Sequence, residues 1–88
     1  MAWTVEFTPA AQRELGKLDR QAACRIGAYL QEVVTSCSDP RQRGQGLTAN
    51  RTGLWRYRVG DYRVICEIQD GLLVVLVVRV SHRSEVYR

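Results

Sequence analysis

Residues 54–80 read LWRYRVGDYRVICEIQDGLLVVLVVRV and contain three stretches with the pattern of β-strands. Polar and apolar side chains alternate over residues 54–59 and 62–69, whereas residues 72–80 are apolar almost throughout. The dipeptides Gly60-Asp61 and Asp70-Gly71 separate the stretches, and two-residue connections of this composition are typical of tight hairpins. The segment therefore predicts three antiparallel strands, the last of which is central because both of its faces are apolar.

The first hairpin carries a cluster of arginines on one face. A two-residue turn at Gly60-Asp61 places Arg58 opposite Arg63, and alternation puts Arg56 on the same face. Like charges directly across a sheet repel, so this face requires an anionic partner or neighbouring acids, of which Glu67 is the only one on this face of the hairpin. The other face is the predicted core face, with Trp55, Tyr57, Val59, Tyr62, Val64, Cys66 and Ile68.

The third stretch poses a problem at Arg79. A two-residue turn at Asp70-Gly71 places Leu73, Val75, Val77 and Arg79 together on the core face. Either the Arg79 side chain reaches out at the edge of the sheet, or a β-bulge changes the phase of the strand at this point. The sequence leaves both alternatives open.

The chain before this segment predicts one strand, two helices and a loop. Residues 2–7 alternate like a strand, Thr8-Pro9 is a typical helix start, and Asp19 can cap a second helix that ends before Asp39-Pro40. Residues 41–53 lack an apolar period and contain three glycines and three arginines, which predicts a mobile basic loop with Leu47 as its anchor. Residues 81–88 are predicted to be an irregular tail.

The resulting order, β-α-α-β-β-β, predicts an α+β fold in a single domain that spans residues 1–88. An N-terminal helical hairpin packs on one face of a largely antiparallel four-stranded sheet. The longest apolar run has seven residues, 72–78, whereas a membrane-spanning helix needs about 20. Three cysteines and one histidine favour neither a disulfide framework nor a zinc site. We expect a cytoplasmic protein without a membrane segment.

The positive charge is concentrated in the second half of the chain. The net charge is +4, but residues 1–40 hold four basic and five acidic side chains, and residues 41–88 hold nine arginines and four acidic side chains. Twelve of the thirteen basic residues are arginine, whose planar guanidinium suits phosphate and stacks on bases. This distribution favours a polyanion such as a nucleic acid as the ligand.

Three segments together resemble the RelE branch of the RelE/ParE toxin superfamily. They are TVEFTPAAQRELGKL, LWRYRVGDYRVICEI and DGLLVVLVVRVSHRSEVYR, and the resemblance covers nearly the whole chain apart from residues 41–50. It implies the toxin of a type II toxin–antitoxin pair. It further implies a metal-independent endoribonuclease that needs no cofactor, cuts mRNA in the ribosomal A site by attack of the 2′-hydroxyl and thereby inhibits translation.

The resemblance also implies a set of site residues. Two basic residues on the family's strand correspond to Arg56 and Arg58, and the arginine of the G-D-Y-R motif corresponds to Arg63. The terminal arginine and tyrosine of the family pattern correspond to Arg83 and Tyr87. These side chains suit phosphoryl transfer, because arginines stabilise charge on the phosphate oxygens and tyrosine stacks on a base.

Proton transfer needs a different group, since arginine has a pKa above about 12 and is a poor general base. His82 is the only imidazole and is the candidate general acid or base. Further arginines of the loop and tail are expected to contact RNA or the ribosome: Arg41, Arg43, Arg51 and Arg88.

The expected partners follow from the resemblance as well. They are a cognate antitoxin that covers the basic face, the ribosome with its mRNA and ribosomal RNA, and operator DNA contacted only through the antitoxin. Two alternatives stay open. The ParE branch shares the fold but acts on DNA gyrase and is not a nuclease, and a degenerate homologue would bind nucleic acid without cleaving it.

Overall fold

The computed structural model describes residues 2–46 and 54–82, and within them two helices cover one face of a five-stranded sheet. The elements are β1 (Thr4–Phe7), α1 (Pro9–Gly16), α2 (Arg20–Ser36), a 3₁₀ turn (Pro40–Gln42), β2 (Gln45–Gly46), β3 (Leu54–Val59), β4 (Tyr62–Gln69) and β5 (Val74–His82). The strand order is β1-β5-β4-β3-β2, with β1 parallel to β5 and every other pair antiparallel. The predicted α+β class is confirmed.

Both helices begin at the predicted caps. The Thr8 hydroxyl accepts a hydrogen bond from the Ala11 amide at 3.1 Å, and the Asp19 carboxylate accepts one from the Ala22 amide at 2.7 Å. The inner face of α2 buries Ala22, Ile26, Leu30, Val33 and Val34 against the sheet. Neither helix of the described residues has the length and apolar content needed to span a membrane.

The hairpin of β3 and β4 has the predicted register, including the pair of Arg58 with Arg63. Its predicted core face is also confirmed, because Tyr57, Val64 and Cys66 are completely buried. The two-residue turn accounts for this accuracy. Gly60 has a φ of 59°, which glycine adopts without strain, and the turn fixes every pair that follows it.

Two predicted connections are wrong. Gln45 and Gly46 pair with Arg56 and Trp55, so the segment predicted as a loop contributes a fifth strand; residues 47–53, which include the predicted anchor Leu47, lie outside the described residues. The turn between β4 and β5 has four residues, 70–73, instead of two, and Leu73 adopts a φ of 54°. Gln69 consequently pairs with Val74, and β5 extends through His82, into the predicted tail.

A β-bulge settles the position of Arg79. Cys66 pairs with Val77, whereas Ile65 pairs with Arg79, so Val78 is an extra residue in β5. The bulge moves Arg79 off the core face and brings Val80, which is 3% exposed, opposite Val64. The structure contains the bulge, and the exposed Arg79 side chain also reaches out beyond the end of β1, where its Nε donates to the Glu14 carboxylate at 3.1 Å.

Candidate functional site

The side of β3 and β4 that carries Arg56, Arg58 and Arg63, the arginine face, lies opposite the helices. Arg58 is exposed and Arg56 is half-buried, but Arg63 is only 9% exposed. An open surface was predicted for all three, and for Arg63 this prediction is wrong. A charged side chain at this depth requires partners, and Arg63 makes such contacts. The site therefore combines one buried and two accessible guanidinium groups.

Gln45 on β2 holds the guanidinium of Arg56. The two residues are register partners, and Nη2 of Arg56 donates a hydrogen bond to Oε1 of Gln45 at 2.6 Å. A guanidinium tied at one nitrogen keeps its other donors in a defined plane. The short strand that the sequence did not predict thus orients one of the predicted site residues.

Side chains from β3 anchor the segment before β2. The buried Tyr57 hydroxyl donates to the Pro40 carbonyl at 2.7 Å, and Nε1 of Trp55 donates to the Arg43 carbonyl at 2.5 Å. Burial raises the pKa of the Tyr57 phenol, which keeps it protonated and able to donate. Gly44 has a φ of 79°, and a Cβ there would lie 2.7 Å from Nε1 of Trp55, so only glycine fits this close approach.

The two described loop arginines both hold carboxylates. Arg41 makes a bidentate pair with Asp70, at 3.0 and 2.8 Å, and lies 3.5 Å from Asp39. The hydrogen bonds between Arg41 and Asp70 raise the pKa of the guanidinium and lower that of the Asp70 carboxyl. Arg43 contacts Glu32 at 3.4 Å. Any RNA contact by these two arginines has to compete with acids of the same chain.

His82 lies across the sheet from the arginine face. It pairs with Tyr62, and the two rings meet edge to face, with centroids 5.3 Å apart and planes at 83°. Because Tyr62 packs against the core, His82 is on the helix side of β5. It also lines a cleft of about 690 Å³ with Lys17, Leu18, Arg79 and Ser81. The structure does not bring the predicted proton-transfer group together with Arg58 and Arg63.

A smaller cavity opens beside the arginine face. It has a volume of about 380 Å³ and is lined by Tyr29, Gly44, Gln45, Arg56 and Arg58. Three of these residues, Tyr29, Gly44 and Gln45, were not predicted from the sequence. Tyr29 is only partly buried, so the apolar period of α2 does not single it out. The strand that contains Gln45 has two residues and is too short to produce an alternating pattern. The available signal was the pair of glycines that flank Gln45.

The remaining predicted site residues, Arg51, Arg83, Tyr87 and Arg88, lie outside the described residues. What the described part provides is cationic hydrogen-bond donors on a rigid sheet, next to a cavity with an aromatic and an amide side chain. Such donors suit a phosphate group, because a guanidinium binds two of its oxygens at once. The cavity is large enough to admit a group attached to that phosphate.

A sequence model described as the ParE toxin of type II toxin–antitoxin systems, parDE, matches residues 5–87 of the chain. Two toxins of Mycobacterium tuberculosis are similar along the sequence. Toxin RelG is 31% identical over 88 residues, which are 100% of this chain and 99% of that protein. Toxin RelE is 31% identical over 84 residues, which are 96% of this chain and 84% of that protein.

Solved structures are similar as well. In the toxin–antitoxin complex RelBE2 of Mycobacterium tuberculosis, one chain superposes with a TM-score of 0.79 at 29% identity, over 94% of this chain and 100% of that one. The isolated E. coli RelE toxin gives a TM-score of 0.75 at 24% identity, over 98% of this chain and 92% of that one. The second likeness concerns the fold alone.

Proposed function

Because the chain belongs to the RelE branch of the RelE/ParE superfamily of type II toxins, we propose that it is a metal-independent endoribonuclease that cleaves mRNA in the ribosomal A site and inhibits translation. The observation that carries this proposal is the pair of Arg58 and Arg63 on adjacent strands, with Arg56 on the same face. Three guanidinium groups on one face of the sheet create a positive surface that favours binding of an anion such as an RNA phosphate.

In the proposed reaction the 2′-hydroxyl of the RNA loses its proton and its oxygen attacks the adjacent phosphorus. The bond from phosphorus to the 5′-oxygen breaks, that oxygen takes up a proton, and the products are a 2′,3′-cyclic phosphate and a 5′-hydroxyl. The exposed Arg58 binds the scissile phosphate directly, and the buried Arg63 supplies a positive charge at a fixed position beneath it in the sheet. Their positive charge stabilises the negative charge that develops on the equatorial oxygens.

The roles of the other predicted site residues are supported by different kinds of evidence. Arg83 and Tyr87 are proposed from the family resemblance to bind the phosphate and stack on a base, and Arg51 and Arg88 to contact RNA or the ribosome. Arg41 and Arg43 are engaged by acids, which supports a role in fixing the loop more than a role in binding RNA. His82 lies on the helix side of the sheet and the arginines lie on the other side, so we assign His82 no role in proton transfer.

The partners are proposed on the same basis. RelB antitoxins accompany RelE toxins in several of the similar structures, including complexes from E. coli and Methanococcus jannaschii. We propose a cognate antitoxin for this chain, which covers the arginine face and makes the contacts to operator DNA. The proposed substrate complex is the ribosome with its mRNA, which places the activity in the cytoplasm.

A second candidate is inhibition of DNA gyrase, which the match to the ParE family model favours. A third is a toxin homologue that binds nucleic acid without cleaving it. The site offers a distinction, because gyrase inhibition needs no phosphate-binding arginine pair, whereas cleavage does.

Primer extension on a defined mRNA, with and without programmed ribosomes, separates these candidates. We expect cuts inside A-site codons only when ribosomes are present, and a loss of at least about 100-fold in Arg58→Ala. The control is Arg13→Ala, an exposed arginine on α1, which should cleave like the wild type. Absence of cuts combined with inhibition of gyrase supercoiling would establish the second candidate instead.

A further inference from the structure

The cavity beside the arginine face has the composition of a nucleobase pocket. We propose that it binds a base of the RNA strand next to the phosphate held by Arg58 and that it selects bases with a keto oxygen, guanine and uracil, over adenine and cytosine. This inference rests on the proposed function and deepens it, because it assigns the recognition of sequence to Gln45. The cavity is bounded by Tyr29, Gly44, Gln45, Arg56 and Arg58.

The hydrogen bond between Arg56 and Gln45 determines what the pocket can recognise. An arginine side chain only donates, so the atom of Gln45 that faces it has to be the amide oxygen Oε1, at 2.6 Å from Nη2. The Nε2 end of the amide is left to donate to a ligand. The other polar side chains of the lining residues are those of Arg56 and Arg58, which only donate, and the Tyr29 hydroxyl, which can donate or accept.

A lining of donors pairs with acceptors. Guanine offers O6 and N7 on one edge, and uracil offers O4, so both complement the cavity. Adenine and cytosine present an amino group at the equivalent position, and an amino group facing a second donor loses its hydrogen bond to water without replacement. Arg58 belongs to both the cavity and the arginine face, so it is the residue that would bind the phosphate next to the base.

The walls of the cavity are held in place without a ligand. The Tyr29 ring packs edge to face on Tyr57, with centroids 5.9 Å apart, and the guanidinium of Arg43 lies 5.8 Å from the centre of the Tyr29 ring. Gly44 forms a part of the wall where no side chain fits, since a Cβ would collide with the backbone oxygen of Arg56. A site formed in advance discriminates between ligands at a smaller cost in entropy.

Sequencing of cut sites on a random mRNA library, translated by ribosomes in the presence of the full-length protein, tests the proposal. The informative variant is Gln45→Glu, because it keeps an acceptor for Arg56 but removes the Nε2 donor. The added charge repels RNA uniformly, so the ratio of cuts next to keto and amino bases is unaffected by that repulsion. We expect this ratio to fall about fivefold, the size expected for one neutral hydrogen bond. Gln21→Glu, an exposed glutamine on α2, is the matched control.

A binding measurement keeps the inference separate from the proposed function. Backbone amide shifts of the protein are followed by NMR on titration with the 5′-monophosphates of guanosine, uridine, adenosine and cytidine. We expect GMP and UMP to shift the amides of Tyr29, Gly44 and Gln45 at concentrations about fivefold lower than AMP and CMP, and Gln45→Glu to remove the difference. This result would support the pocket even if the wild-type protein cuts no RNA, in which case the proposed function alone fails.

Three outcomes overturn the proposal. The first is that Gln45→Glu leaves the ratio of cuts next to keto and amino bases unchanged. This result would mean that Gln45 only positions Arg56. The second is binding of all four mononucleotides with equal strength, or of none at these amides. The third is that Gln45→Glu and Tyr29→Ala weaken binding of the antitoxin while both nucleotide readouts stay unchanged, which would make the cavity a docking site for protein.

Discussion

Arg58 and Arg63 lie directly opposite each other on adjacent antiparallel strands, one exposed and one buried. Like charges in this relationship destabilise a sheet by roughly 0.2–1 kcal/mol. We therefore expect Arg58→Thr to raise the free energy of unfolding by about that amount while it abolishes cleavage, as measured by urea denaturation and single-turnover kinetics. Arg56→Thr is the control. Arg56 lies opposite the uncharged Ile65, and the substitution removes the hydrogen bond to Gln45, so we expect no gain in the free energy of unfolding.

The position of His82 on the helix side predicts the result of His82→Ala. Because the sheet separates this ring from Arg58 and Arg63, we expect single-turnover cleavage of ribosome-bound mRNA to fall by less than 10-fold. General acid–base catalysis contributes about 10²–10⁴-fold. A loss in that range would show that His82 reaches the scissile bond and would contradict the assignment made above.

Removal of one buried hydroxyl should loosen the segment that carries Gln45. Tyr57→Phe deletes the donor to the Pro40 carbonyl and leaves that oxygen buried and unpaired, at a cost of about 1–3 kcal/mol in the free energy of unfolding. Urea denaturation measures it. Tyr29→Phe, whose ring is only partly buried, should cost less than half as much; equal losses would show that the Pro40 contact is not the cause.

The buried thiol of Cys66 predicts a decline of stability in alkaline solution. Burial raises its pKa from the usual 9.0 to about 12, so between these values the folded protein keeps a proton that the unfolded chain has lost. Its contribution is complete below pH 9 and falls as the pH rises, by up to about 1.4 kcal/mol per pH unit. Thermal unfolding at pH 8–11 should show a shallower decline in Cys66→Ala than in the wild type, and parallel curves would exclude this thiol as the source.

The sequence was informative where local chemistry decides the structure. The helix caps at Thr8 and Asp19 are set by neighbours within three residues, and the register of β3 and β4 follows from a turn that contains glycine at its left-handed position. The pair of Arg58 and Arg63 could therefore be found without a structure. The burial of Arg63 could not be predicted, because it depends on segments that are distant in the chain.

The errors concern features that tertiary contacts impose. Leu73 adopts a φ of 54°, which is unfavourable for leucine, and its carbonyl accepts a hydrogen bond from the Thr4 amide of β1 at 2.9 Å. Docking of β1 thus accompanies a turn that Asp70-Gly71 alone would not specify. The same limit applies to Gln45, since the sequence cannot show that a dipeptide pairs with β3 and holds Arg56.

The bulge at Val78 determines which surface of the sheet each later side chain of β5 faces. With the bulge, Ser81 pairs with Arg63 and His82 pairs with Tyr62; if the same sequence paired without a bulge, Val80 would pair with Arg63 and Ser81 with Tyr62. Deletion of Val78 would remove the bulge and leave these pairs unchanged, whereas closing the bulge with all residues retained would exchange the side chains that the two surfaces receive. The bulge therefore decides on which surface of the sheet the imidazole of His82 lies.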